Sequence, residues 1–142
     1  MTAIVDAGPI VAALSRRDRH HAWAVDRLGA YAGPLLTCEA VLTEAAFIVS
    51  RGGRRPESVI ALVERGVLRV EFVLSAQRSP RVRELMTRYA NVPMSLADAS
   101  LVVLAEKAPT TPVLTLDSDF FVYRLNRSAA VVVDHPDAPP LG

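Results

Sequence analysis

Apolar positions along this chain follow two alternating patterns, short runs typical of strands and repeats of three to four residues typical of helices. We predict strands at residues 2–6, 34–37, 68–74, 113–116 and 130–133. We predict helices at residues 10–14, 20–32, 38–50, 57–65, 79–89 and 118–125, with another beginning at Ser95. Thr37 is expected to cap the helix that follows it. Because strands and helices alternate throughout, the pattern predicts an α/β layered fold with a mainly parallel central sheet of four to five strands.

The composition is that of one globular domain. The chain has 142 residues, of which 51% are hydrophobic, enough to form a core without disulfides or structural metals. We expect a single domain at residues 1–134 and a loosely ordered, proline-rich tail at residues 135–142. Asp98 interrupts the longest apolar run, so we expect no membrane span, and the N-terminus lacks the basic start of a signal peptide. The single cysteine, Cys38, excludes an intramolecular disulfide and fits a cytoplasmic protein.

Four acidic residues interrupt stretches that otherwise have the composition of a hydrophobic core. They are Asp6, Glu44, Asp98 and Asp117, and none of their runs contains a lysine or an arginine. An ionised carboxylate in an apolar interior is strongly disfavoured unless it is neutralised, paired or bound to a metal. The absence of local basic partners therefore favours a cation supplied from outside the chain.

Three of these acids also have other interpretations. Asp6 follows the first strand and is a good helix N-cap, and Asp98 stands three residues after Ser95 in a capping-box pattern. Glu44 has apolar neighbours one helical turn away on both sides, so we expect it to be buried. The alternative for Glu44 is a residue at the edge of the helix that reaches solvent or a distant arginine.

Two acids follow the strand at residues 113–116. Asp117 lies directly beyond the strand and is the preferred ligand, whereas Asp119 is expected to cap or assist the short following helix. In a parallel α/β sheet, active sites gather beyond the carboxyl ends of the strands, where Asp6 and Asp117 both lie. Because Mg²⁺ and Mn²⁺ prefer oxygen ligands, the four acids together predict a site for one or two divalent cations, which suits phosphodiester hydrolysis.

The basic residues are almost all arginine. Fifteen arginines and one lysine, Lys107, give the chain a net charge of +1. Arginine binds phosphate oxygens bidentately and stacks on bases, which indicates a nucleic-acid substrate; genomic base composition explains the same bias equally well. His20 and His21 are candidates for a general acid or a metal ligand, but their polar surroundings favour a solvated or capping role.

The order and spacing of these residues resemble the PIN-domain nucleases, and within them the VapC-type toxins of bacterial toxin–antitoxin pairs. The resemblance covers nearly the whole chain. It rests on the strand that ends at Asp6, the helical Glu44, the phrase Ser-Leu-Ala-Asp-Ala at residues 95–99 and the phrase Thr-Leu-Asp-Ser-Asp-Phe at residues 115–120. This chain departs from many relatives at Ala7, where they have a hydroxyl residue.

The resemblance implies a three-layer α/β/α PIN-like fold and an endoribonuclease that depends on Mg²⁺, with Mn²⁺ as a substitute. Asp6, Glu44, Asp98 and Asp117 would be the catalytic and metal-binding residues, and a metal-activated water would attack the RNA phosphodiester. Thr115 would support them, as the auxiliary Asp119 would. For toxin members the resemblance also implies a homodimer and a cognate antitoxin that covers the active site.

Other functions remain open. A PIN-domain nuclease that processes RNA without being a toxin would use the same residues. An acyl-phosphate phosphatase built on Asp117 and Asp119 is disfavoured, because only about 23 residues follow this motif and Lys107 precedes it. A non-catalytic α/β interaction module explains Asp6 and Asp98 as helix caps but leaves Glu44 unexplained.

Overall fold

A computed structural model describes residues 2–141 of the chain. The helices in this range are α1 (Ala7–Leu14), α2 (His21–Ala30), α3 (Glu39–Arg51), α4 (Glu57–Glu64), α5 (Ser79–Arg88) and α6 (Leu96–Lys107), with a 3₁₀ turn at Ser118–Phe121. The strands are β1 (Ile4–Val5), β2 (Leu35–Cys38), β3 (Leu68–Phe72), β4 (Val113–Leu114), β5 (Arg124–Leu125), β6 (Ala129–Ala130) and β7 (Val133–Asp134).

Five of the strands form one parallel sheet in the order β3-β2-β1-β4-β7. In the central strand β1, Ile4 is in register with Leu36 of β2 and with Val113 of β4. The chain builds outward from β1 to β3 on one side and then returns to place β4 on the other side of β1. This reversal is a topological switch point, and open α/β sheets bind their ligands beyond the strand ends at such points.

Helix α6 is the most deeply buried helix of the domain. All nine residues from Ala97 to Ala105 are buried, and the helix packs across β1, β2 and β3 with α5 beside it. Helix α1 packs against α2 and α3. The sheet and its covering helices form the α/β/α layered arrangement that the alternation of elements predicts. The helices within residues 2–141 are too short or too polar to span a lipid bilayer.

Several local predictions are wrong. The side chain of Thr37 does not cap α3, because its hydroxyl donates to the backbone oxygen of Val5 at 3.0 Å and ties β2 to β1; the N-cap position is occupied by Cys38, without a side-chain bond. The helix predicted at residues 118–125 is one 3₁₀ turn followed by β5. The strand predicted at residues 130–133 is two strands, since β6 pairs antiparallel with β5 and only β7 joins the main sheet.

Gly8 allows a close approach that matters for the site. A Cβ atom at this position would lie 3.1 Å from the Cβ of Leu116, tighter than ordinary van der Waals contact. Asp6 lies two residues before Gly8, and Asp117 directly follows Leu116. The missing side chain at Gly8 therefore lets the first turn of α1 pack against the segment after β4, which brings the two acids towards each other.

Candidate metal centre

Three of the four predicted acids meet at the switch point of the sheet. Asp6, Asp98 and Asp117 each offer a carboxylate oxygen, and these oxygens lie within 4.8 Å of one another. Asp6 follows β1, Asp117 follows β4 after two further residues, and Asp98 lies in the first turn of α6. The parallel pairing of β1 and β4 brings their carboxyl ends together, and the packing of α6 on β1 adds the third acid.

Asp6 is the most buried acid of the cluster, with 6% of its surface exposed. Its Oδ1 accepts from the backbone nitrogen of Ala7, and its Oδ2 accepts from the hydroxyl of Thr115, both at 2.8 Å. Burial raises the pKa of Asp6 to about 7, the charges of Asp98 and Glu44 add to the rise, and the two hydrogen bonds oppose it. Asp6 is therefore both the N-cap of α1 and a member of the cluster, so the two interpretations are compatible.

Asp98 is held from two sides. Its backbone nitrogen donates to the Ser95 hydroxyl at 3.0 Å, which confirms Ser95 as the cap of α6. Its Oδ2 accepts from the phenolic hydroxyl of Tyr123 at 2.8 Å. Burial raises the pKa of Asp98, the charge of Asp117 raises it further, and the hydrogen bond from Tyr123 lowers it. One carboxylate oxygen is thus fixed by Tyr123, and hydrogen bonds from Ser95 also lower the pKa of Asp98.

Thr115 links two of the acids. Its fully buried hydroxyl donates to Oδ2 of Asp6 and accepts from the backbone nitrogen of Asp117 at 2.9 Å. Asp117 in turn accepts, through Oδ1, from the backbone nitrogen of Asp119 at 2.9 Å. The cap of the 3₁₀ turn is therefore Asp117 rather than Asp119, which corrects that part of the prediction. Asp119 contributes its peptide nitrogen to the cluster. Desolvation raises the pKa of the partly exposed Asp119 carboxyl, and the charge of Asp117 raises it further.

Glu44 differs from its prediction. The side chain is exposed rather than buried, and so are its apolar neighbours Phe47 and Ile48, at 62% and 41%. The apolar stripe on α3 that predicted burial is partly a surface stripe. Partial desolvation raises the pKa of Glu44, and the charges of Asp98 and Asp117 raise it further. Glu44 thus lies at the rim of the cluster, close enough to interact with it electrostatically, and its role as a ligand stays a prediction.

No basic side chain in the part of the chain that the structure describes neutralises these acids. Within residues 2–141, none of Asp6, Glu44, Asp98 and Asp117 forms a salt bridge. Asp134, another buried acid at a strand end, provides the contrast: its Oδ2 accepts from Nη2 of Arg27 at 2.7 Å and from the hydroxyl of Tyr31. The fold therefore gives the buried carboxylate of Asp134 a basic partner, whereas the cluster beyond β1 and β4 has no counter-charge among the described residues.

The donor set of the cluster fits a hard divalent cation. All the available ligand atoms are carboxylate oxygens, which Mg²⁺ and Mn²⁺ favour. The raised pKa values of Asp6 and Asp98 reflect burial and mutual repulsion, and a bound cation relieves both. Cys38 is buried with a raised pKa caused first by desolvation, so it behaves as a packed hydrophobic residue and not as a metal-binding thiolate.

Tyr123 is the site residue that sequence reasoning missed. It is fully buried, and its ring packs edge-on against Tyr89 and Phe120, with ring centroids 5.1 and 5.2 Å apart. In the sequence it belongs to the run Phe-Phe-Val-Tyr, which is indistinguishable from ordinary core. The sequence offers one chemical signal. A buried tyrosine needs a hydrogen-bond partner for its hydroxyl, and the four predicted acids are candidate acceptors.

Comparison with known proteins identifies the family. The model of the PIN domain matches residues 3–125. The chain belongs to the PIN domain family. The matched part of this PIN domain contains every residue described at the candidate metal centre. Residues 135–141 lie outside the matched part. In this segment, Pro139 and Leu141 line a cavity together with Trp23 and Arg27 of α2. No curated protein matches the chain by sequence.

Two solved structures have the same fold as this PIN domain. The first is the toxin VapC20 of Mycobacterium tuberculosis, described as cleaving the sarcin–ricin loop, with a TM-score of 0.71, 23% identity, and coverage of 84% of this chain and 92% of that one. The second is VapBC2 of Rickettsia felis, bound to a DNA fragment from its promoter, with a TM-score of 0.60, 16% identity, and coverage of 96% of this chain and 100% of that one. At these identities the likeness concerns the fold.

Proposed function

We propose that this PIN domain is an endoribonuclease that depends on Mg²⁺, with Mn²⁺ as a substitute, and hydrolyses RNA phosphodiester bonds. The observation that carries the proposal is the cluster of Asp6, Asp98 and Asp117 at the switch point of the sheet, with oxygens within 4.8 Å and no basic partner within residues 2–141. We assign these three acids and Glu44 as the catalytic and metal-binding residues.

The cation, when bound, supplies Lewis-acid stabilisation of phosphate charge and activates water. The chain contributes the geometry. Thr115 holds Oδ2 of Asp6 and the peptide of Asp117, and Tyr123 holds Oδ2 of Asp98. These fixed hydrogen bonds keep the ligand oxygens in place before substrate arrives, so little reorganisation is needed during the reaction. Glu44 is exposed at the rim, so its carboxylate is accessible to a substrate that approaches from solvent.

We further propose that the protein is a VapC-type toxin of the cytoplasm, with a cognate antitoxin and a homodimeric state. The shared fold with VapC20 and with the VapBC2 complex supports this assignment. Apolar side chains at the surface support protein partners: Phe47 on α3 is 62% exposed, and Val73 and Leu74 beyond β3 are 65% and 48% exposed. A nuclease that processes RNA outside a toxin–antitoxin pair would have the same active site.

Acid-to-amide variants test the nuclease proposal. Asp6→Asn and Asp98→Asn should abolish Mg²⁺-dependent cleavage of total RNA while keeping the circular dichroism spectrum of the parent. Asp26→Asn is the matched control, because Asp26 is exposed on α2 and lies outside the cluster. Cleavage at the parental rate by both cluster variants would remove the proposal. Growth arrest on induction, relieved by co-expression of an antitoxin encoded by an adjacent gene, would separate a toxin from a processing nuclease.

A further inference from the structure

A cavity lies along the chain segment that carries Asp117. Its volume is about 490 Å³, and its lining residues are Arg19, His20, Leu116, Ser118, His135 and Asp137. Leu116 and Ser118 are the two chain neighbours of Asp117, and neighbouring Cα atoms are about 3.8 Å apart. The lining of the cavity therefore includes the residues on both sides of Asp117 in the chain, which places it within reach of a polymer that is held at the cluster.

Arg19 supplies an available positive charge to the cavity. Its Nε donates to Nε2 of His20 at 3.1 Å, a bond that leaves both terminal amino groups of the guanidinium for a ligand. The ion pairs within residues 2–141 use other arginines, namely Arg27, Arg55, Arg69 and Arg81. Because paired terminal amino groups match the geometry of phosphate oxygens, an arginine placed in this way is suited to bind a phosphodiester.

The two histidines add polar groups to the same wall. His20 is the N-cap residue of α2 and makes no side-chain capping bond, so the capping role considered for its side chain is not used. His135 follows β7 and accepts at Nδ1 from the backbone nitrogen of Asp137 at 3.0 Å, which leaves Nε2 available. The carboxylate of Asp137 is the one opposing charge in the lining, and its exposure to solvent weakens its effect.

The negative charge of the cluster affects how the phosphates of a nucleic acid can bind beside it. The cluster of Asp6, Asp98 and Asp117 attracts a cation, but it repels the phosphates on either side of the bond to be cleaved. A divalent ion at the cluster offsets this repulsion only locally. Arg19, in the cavity that Leu116 and Ser118 line, would stabilise the next phosphate along the RNA strand, which the acids repel and the ion does not reach.

We propose that this cavity binds the RNA backbone, with Arg19 holding the phosphate next to the scissile bond and His135 donating to the same phosphate through Nε2. This inference rests on the proposed nuclease function and extends it to a substrate contact. Arg19 is thereby a substrate-binding residue that contributes to affinity rather than to the chemical step.

The test uses a short fluorescein-labelled single-stranded RNA of mixed sequence. In the cleavage-deficient Asp98→Asn background, adding Arg19→Ala should weaken RNA binding about tenfold and lower the slope of log affinity against log salt by about one. Arg17→Ala is the matched control, since Arg17 is an exposed arginine of the same turn that does not line the cavity. In the cleavage-competent protein, Arg19→Ala should raise KM and leave kcat within about twofold. His135→Ala provides a second variant in the lining of the cavity.

Each result bears on one of the two proposals. Unchanged KM and salt slope in Arg19→Ala and His135→Ala, with a parent that cleaves RNA, would overturn the cavity inference alone. Equal losses in Arg19→Ala and Arg17→Ala would also overturn it, because they indicate a diffuse charge effect. Unchanged RNA affinity with weakened antitoxin binding would reassign the cavity to a protein partner. A parent that neither binds nor cleaves RNA would remove the nuclease proposal together with this one.

Discussion

Tyr123 donates its phenolic hydrogen to Oδ2 of Asp98 at 2.8 Å, and both side chains are buried. The ring that carries this hydroxyl is fixed by edge-on contacts with Tyr89 and Phe120. The orientation of one acid at the metal centre is therefore set by the aromatic core that closes the C-terminal part of the domain. Residues around a metal site that orient its ligands typically change metal affinity by about 10–100-fold when they are removed.

Tyr123→Phe should weaken Mn²⁺ binding while keeping the fold. The substitution retains the ring and removes one hydrogen bond, so we expect a loss of about 1 kcal/mol in stability and a roughly tenfold increase in the Mn²⁺ dissociation constant. Titration calorimetry measures the affinity, and urea unfolding measures the stability. Tyr89→Phe is the matched control, because its hydroxyl accepts from the backbone nitrogen of Arg124 and does not touch an acid. Parental Mn²⁺ affinity in Tyr123→Phe would contradict the prediction.

Thr115→Val should disturb two acids at once. The hydroxyl of Thr115 donates to Asp6 and accepts from the peptide of Asp117, and valine fills the same volume without either bond. We expect a loss of about 1–3 kcal/mol in the free energy of unfolding and a large loss of RNA cleavage. Thr115→Ser keeps the hydroxyl and should retain most of the activity. Equal activity in the valine and serine variants would mean that the hydroxyl does not position the acids.

The sequence predicts the sheet well because its strands are short apolar runs between clear turn signals. It fails at β5 and β6, where the turn is made by Asn126 and Arg127 in left-handed conformations, with φ of 46° and 81°, instead of by glycine. A tertiary contact holds this turn, since the backbone nitrogen of Asn126 donates to Glu106 of α6. No local pattern encodes such a contact, so the sequence predicts a helix that includes β5 and a strand at residues 130–133 in place of the hairpin.

The site is predicted in part for a related reason. Strand-end positions identify Asp6 and Asp117, because the carboxyl ends of parallel strands meet at one edge of the sheet. The burial of Glu44 is predicted wrongly, because a helical repeat reveals that a face is apolar but not whether anything covers it. Phe47 on that face remains exposed in the monomer. Tyr123 is missed because its sequence neighbours are core residues and its partner, Asp98, is brought to it by α6.

Glu44→Gln should separate function from stability. Since Glu44 is exposed, its replacement should change the free energy of unfolding by less than about 0.5 kcal/mol. Cleavage should nevertheless fall by at least about 100-fold if this carboxylate acts at the rim of the cluster. Glu39→Gln is the control on the same helix, because Glu39 is also exposed and is not among the proposed site residues. Cleavage by Glu44→Gln at the rate of Glu39→Gln would remove Glu44 from the active site.

Asp117 and Asp119 should respond very differently to the same change. Asp117 offers an oxygen to the cluster, whereas Asp119 donates to it through a peptide nitrogen that survives substitution, and the Asp119 carboxyl interacts with Asp117. Asp117→Asn should therefore abolish cleavage and Mn²⁺ binding, and Asp119→Asn should lower cleavage by less than about tenfold. Both can be measured in one cleavage and calorimetry series. A complete loss of Mn²⁺ binding in Asp119→Asn would make it a ligand instead of an auxiliary residue.

Asp6 should make the stability of the metal-free protein depend on pH. Its pKa is 3.8 in an ordinary environment, and burial in the folded state raises it to about 7. The folded protein thus binds this proton more tightly than the unfolded chain. The resulting stabilisation is fully present below about pH 4 and is lost as the pH rises through about 7. The gap between the two pKa values sets an upper limit of about 4 kcal/mol on the effect.

Asp6→Asn should therefore stabilise the protein in EDTA at about pH 8, by about 1–2 kcal/mol, and have little effect at about pH 4. The amide oxygen still accepts from the backbone nitrogen of Ala7, so the cap of α1 is kept while the charge is removed. Urea unfolding at several pH values measures the difference, with Asp26→Asn as an exposed control that should leave the profile unchanged. Saturating Mn²⁺ should reverse the order, because only the parent gains stability from binding. If Asp6→Asn is less stable than the parent in EDTA at pH 8, the buried, ionised carboxylate of Asp6 does not destabilise the metal-free protein. The central electrostatic argument for a cation at this cluster is then lost.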